Sequence, residues 1–267
     1  MLGKLMKYEL KATARTLIPL YIALLAFAII NKIFIGTGLS KELSGFGSIP
    51  FILSIFAYGC TMAAVFIVTF FVIIQRFYKN LLGDEGYLMN TLPVTTIANL
   101  TSKISIATFW NIVSGFVAIL SIIIMAFNPD AFGKFFSEFF QGFSKGSSKF
   151  GVQIYIVIIE LIIAILVQLI KSITMIYASI SIGHLFNKHR ILSSFGAFVV
   201  LNLIASAIAS ALGIGFSFLN WKNIFSQSES FFPIHMILGL VILFNLVFFI
   251  AYFIITNYIL KNKLNLE

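Results

Sequence analysis

Few side chains in this sequence can carry a charge or move a proton away from water, and those that can are grouped. Glu160 stands in an otherwise apolar run, where an ionised carboxylate is costly and faces protein or a water-filled cavity. At 100° per residue Gln153, Gln168, Lys171 and Thr174 share with it a helical arc of about 120°. Glu160 and Lys171 are about 16 Å apart along such a helix, too far to pair. The stripe fits a translocation path or a subunit seam, and it fits interhelical hydrogen bonding equally well. A second group is Gly83-Asp84-Glu85-Gly86, an acidic pair between two glycines, followed by Tyr87, Leu88, Met89 and Pro93. Groups that break bonds are missing from the sequence pattern. There is no G-x-x-x-x-G-K-[ST] phosphate cradle and no H-E-x-x-H, Cys60 is the single cysteine, and His184, His189 and His235 are unclustered. No catalytic residue, metal ligand or cofactor is expected in this chain.

The elements that must position these residues follow from composition. Of 267 residues 60% are hydrophobic and 10% charged, whereas a soluble domain runs nearer half and a quarter. That excludes an ordinary soluble enzyme and a disordered chain. A helix crosses the hydrocarbon layer with about 20 mostly apolar residues. Six stretches qualify: 17–35, 51–74, 104–127, 152–182, 191–219 and 234–260. They are long and unbroken, unlike the short alternating strands of a membrane barrel. The expected fold is all-α, a single transmembrane domain over 1–267 with six spans. With the N-terminus inside, the inner segments hold twelve Lys and Arg and the outer segments six. The positive-inside rule then places both termini in the cytoplasm. This topology accounts for most of the net charge of +9. A nucleic-acid partner would need a clustered basic face on a soluble module, and none is present.

The connections carry their own patterns. Residues 1–16 form an amphipathic helix expected to lie on the inner leaflet, with Lys4, Lys7, Lys11 and Arg15 on one arc and Leu2, Leu5, Met6 and Leu10 opposite. Glu9 sits on the apolar side, which suits a protein partner better than a plain anchor. The segment 128–151, expected outside, steps Phe132, Phe135, Phe136, Phe139, Phe140 and Phe143 along one helical stripe. This is an interfacial helix or an outer cap. In the fifth span Ala205, Ala209 and Gly213 recur every fourth residue, a spacing that lets helix backbones approach closely. The inner segment 75–103 is too rich in Leu, Tyr and Met for a solvated loop. It reads as a short helix, the acidic turn, another short helix, a break at Pro93, and a helix capped by Thr95 or Thr96.

Taken together, the basic start, the run KYELKATARTLIPLY from Lys7 to Tyr21, two spans, GDEGYLMNTLPV from Gly83 to Val94, and Lys103 opening the third span resemble the permease subunits of bacterial ATP-binding-cassette exporters. The resemblance covers the chain in architecture, with its motif support in Lys7 to Tyr21 and Arg76 to Lys103. It implies that the segment holding Gly83, Asp84, Glu85, Gly86, Tyr87, Leu88, Met89 and Pro93 is a coupling element docking into a separate ATPase subunit. It implies that residues 1–16 are the connecting helix, and that ATP and Mg are held by the partner. It further implies a second copy or a related permease, a multi-pass place in a bacterial plasma membrane, and export of a peptide, drug-like or other amphipathic cargo. A stand-alone secondary transporter using Glu160, and a membrane scaffold or sensor component, are the alternatives.

Overall fold

The computed structural model describes residues 2–36, 49–83, 95–186, 188–217 and 231–263. Among them the chain is all-helical: α1 (Leu2–Gly36), α2 (Ile49–Phe77) running into a π-helical segment (Tyr78–Leu82), α3 (Thr96–Ala126), α4 (Pro129–Phe150), α5 (Gln153–His184), α6 (Arg190–Ser217) and α7 (Phe232–Asn262). Six of these, all but α4, are long and apolar enough to cross a membrane. The chain is a multi-pass helical membrane protein. Thr95 caps α3 as expected, its Oγ1 accepting from the Ala98 N–H at 3.3 Å. The Gly83 to Val94 motif begins inside the described residues only at Gly83. Asp84, Glu85, Gly86, Tyr87, Leu88, Met89 and Pro93 lie outside them.

The expected single transmembrane domain is built of two compact units, one of Met1–Arg76 and Ser105–Phe143, the other of Phe77–Ile104 and Ser144–Glu267. In the first, α1 departs from expectation. There is no boundary at Thr16; the supposed surface segment and the supposed span are one helix of 35 residues. A single face explains this. Glu9, Thr13, Leu17, Tyr21, Leu24, Ala28 and Asn31 are all buried, at steps of three and four that keep one stripe in register. The packed face keeps part of the apolar arc read from sequence: Glu9 on that side is buried and Met6 packs on the core, whereas Leu10 is 37% exposed and Thr13 joins the face. Lys4, Lys7, Lys11 and Arg15 remain exposed. At about 1.5 Å per residue the helix is about 52 Å long, against a hydrocarbon layer of about 30 Å. Pro19 sits inside α1 without ending it.

Neutral hydrogen bonds tie this unit together. The Trp110 Nε1–H donates to Thr13 Oγ1 at 2.6 Å, and Ser114 Oγ meets both Tyr21 Oη at 2.7 Å and Thr69 Oγ1 at 2.9 Å. Tyr58 pairs with Ser121 at 3.0 Å, and Ser54 Oγ donates to Asn31 Oδ1 at 2.8 Å. Lipid offers no partner to a hydroxyl or amide, so each must be answered inside the protein. Between these pairs lies an apolar core of Leu17, Leu24, Val65, Val72 and Ile106.

In the second unit α5 packs against both α6 and α7. Its C-terminal half supplies the core: residues 173–175 and 177–181 are buried, whereas upstream only Ala164 is. Met175, Ala178 and Tyr252 form a cluster covered by Phe198, Leu201, Phe248 and Ile255. The α5–α6 connection is tight. A Cβ at Gly183 would overlap the backbone N, Cα and Oγ of Ser194, so only glycine fits. His189, just before α6, takes φ 61°, a left-handed conformation uncommon for a non-glycine residue.

Candidate functional site

The polar stripe of α5 does not form one continuous lining. Gln153 and Gln168 are exposed, and Thr174 is buried with its Oγ1 donating to the Ile170 carbonyl at 2.7 Å. Thr174 therefore spends its hydroxyl on its own helix. Glu160 and Lys171 are the members with partners from another element, and both partners lie on α7.

His235 Nδ1 and Glu160 Oε2 share a hydrogen bond at 2.8 Å, each side chain one quarter exposed. Glu160 is about 10 Å from the start of α5 and His235 about 4 Å from the start of α7 by helical rise. The pair thus sits toward the N-terminal ends of two parallel neighbouring helices. His235, read from the sequence as isolated, is the residue that sequence reasoning missed. It lies 75 positions from Glu160, so no spacing rule links them. Among the described residues no three metal-ligating side chains come together, and the contact is a carboxyl–imidazole hydrogen bond. It ties α5 to α7 through two side chains able to exchange a proton.

Three turns further along α5, the Lys171 ammonium stands 5.7 Å from the centre of the Phe244 ring, within reach of a cation–π attraction. Phe244 also lines a cavity of about 350 Å³ between α6 and α7, together with Ala209, Leu212, Gly213, Ile237, Leu240 and Val241. This corrects the reading of the small-residue stripe. Ala205 is buried, but Ala209 is exposed and a Cβ at Gly213 would meet nothing within 4 Å. At those two positions the small residues leave space instead of bringing helices together.

At the opposite end of α5 the fold secures the chain that leads into the acidic turn. Phe77 closes α2 and stacks on Tyr177 of α5, ring centres 4.0 Å apart and planes within 8°. Both are essentially fully buried. Tyr78 then packs edge-on against His184 at 6.1 Å. The π-helical turn buries Asn80, Leu81 and Leu82, and the Gly83 N–H closes it on the Tyr78 carbonyl at 2.8 Å. Single π turns recur at functional positions in helices. Here the turn replaces the short separate helix expected after Gln75. It buries three consecutive side chains.

On α4 the phenylalanines form the expected stripe, in two rows: Phe132–Phe136–Phe140 at 4.8 and 5.9 Å, and Phe135–Phe139–Phe143 at 6.3 and 6.5 Å. Phe135, Phe136, Phe139 and Phe140 are 41–62% exposed, an apolar ridge suited to a lipid interface. No family model matches the chain, and neither does any curated protein or solved structure.

Proposed function

We propose that this chain is the membrane-spanning permease subunit of a bacterial ATP-binding-cassette exporter, without enzymatic activity of its own. ATP and Mg are bound by a separate cytoplasmic subunit that docks on the segment from Gly83 to Pro93, and a second copy or a related permease completes the path. The cargo is an amphipathic peptide or drug-like molecule. The observation that carries this reading is the anchoring of Phe77 and the π-helical turn on the C-terminal half of α5. A displacement of the following segment by a partner would be passed through a stacked, buried ring pair to the helix that holds Glu160 and Lys171. The test is pull-down of an ATPase subunit encoded in an adjacent reading frame, followed by cargo-stimulated hydrolysis. Leu88→Ala should weaken association about 30-fold, the effect of losing an interface anchor, and Glu85→Ala, a rim charge, less. Phe77→Leu keeps an apolar side chain but removes the stack; it should leave association intact and uncouple hydrolysis from cargo. Parent-like behaviour of all three variants would remove the support for a coupling element here.

The Glu160–His235 contact favours one second reading, a stand-alone transporter driven by protons. Reconstituted alone in vesicles, such a protein would accumulate cargo on a pH gradient without any ATPase.

A further inference from the structure

The cavity between α6 and α7 has a composition that selects its occupant. All seven lining residues, Ala209 to Phe244, are apolar. The cavity opens on the surface of the helices, with Ala209, Leu212, Gly213, Ile237 and Val241 exposed. Ala209 and Gly213 are small enough to leave the groove open. At about 350 Å³ it lies at the lower end of the range for small-molecule sites, about 300–1,000 Å³. Nothing in that lining would hold an ion or water, so the occupant of the cavity is hydrocarbon.

The charge lies at its edge. Lys171 is half-buried in α5, with its ammonium over the face of Phe244, a cavity wall. Among the described residues no carboxylate stands beside it. Glu160, the acid on the same helix, is about 16 Å away along the axis and bonded to His235. A ring face compensates an ammonium only in part, whereas a carboxylate or sulfate head would make a charge-assisted hydrogen bond. We infer that α6 and α7 hold a binding site for a single-chain anionic amphiphile, with its alkyl tail in the cavity and its acidic head on Lys171. A cavity of this size takes one chain, which favours a free acid over a two-chain membrane lipid. The site stands apart from the exporter reading, since its occupancy is measured by binding and not by transport.

The test uses the full chain in nanodiscs of phosphatidylcholine, with dodecanoic acid carrying a diazirine at its tail as the probe. Photolysis and peptide mass spectrometry should place the label on the 209–213 and 237–244 segments, and unlabelled dodecanoic acid should compete for it. Dodecanol carrying the same diazirine should label at least about tenfold less, the worth of a charge-assisted contact. Lys171→Gln should bring the acid down to the alcohol's level. Gly213→Leu fills the space and should abolish labelling by both; Ala209→Leu serves the same purpose if Gly213→Leu does not fold. Equal labelling by acid and alcohol, or labelling indifferent to cavity filling, overturns the proposal. So does stronger labelling by phosphatidylglycerol carrying the diazirine on one acyl chain, because the occupant is then an ordinary lipid.

Discussion

In the unit of Met1–Arg76 and Ser105–Phe143, neutral groups make the hydrogen bonds at Trp110–Thr13, at Tyr21–Ser114–Thr69 and at Asn31–Ser54, and one cation, Lys32, lies 5.8 Å from the Phe127 ring. In the unit of Phe77–Ile104 and Ser144–Glu267, a hydrogen bond between α5 and α7 joins two titratable side chains, Glu160 and His235, beside Lys171 over Phe244. Both units face the same demand, since a polar group in lipid must find its partner in the protein. Neutral pairs meet it cheaply and have one protonation state at ordinary pH. Charged ones are costly in a membrane and are retained where they respond to something. The difference separates interhelical glue from candidate chemistry more sharply than polarity alone.

The largest effect is expected at the α5–α6 turn, on which the geometry of the charged unit depends. Gly183→Ala drives a methyl into Ser194 backbone, and overpacking against backbone costs about 3 kcal/mol or more. The variant should lose its monodisperse elution and its thermal transition in detergent, while Gly196→Ala, whose Cβ meets nothing within 4 Å, should behave as the parent.

A smaller effect is expected at the ion pair. Glu160→Gln and His235→Gln should each lower stability by about 1 kcal/mol, and the double variant by less than the sum, because the second change removes a partner already lost. If the pair is more than glue, Glu160→Gln should also alter transport or its stimulation by cargo per folded molecule. Strict additivity of the two substitutions would show that the contact carries no coupling energy.

The smallest effect belongs to the hydroxyl trio of the first unit. Tyr21→Phe removes one hydroxyl from the trio with Ser114 and Thr69, while Ser114 and Thr69 keep each other. The loss should be about 0.6 kcal/mol, the mean for interhelical hydrogen bonds in membranes, with no change in transport. A transport defect in Tyr21→Phe would erase the distinction between the units.

Composition and periodicity alone determined that this is an all-helical, multi-pass protein with six spans, because burial in lipid demands long apolar runs and nothing else in the sequence offers them. The α4 phenylalanine rows, the Thr95 cap and the costly position of Glu160 were equally legible, each being a local property of a few neighbouring residues. The tertiary structure decided what local rules could not reach. It joined the first two segments into one helix, since the stripe through Glu9 and Thr13 is packed by α3 side chains such as Trp110 about a hundred residues away. It turned the small residues of α6 into a cavity wall, because a small side chain permits close approach but cannot require it. It brought His235 to Glu160 and the Phe244 ring to Lys171, because α5 and α7 pack side by side. A charge in lipid has to find a partner, and which one it finds depends on how the helices assemble.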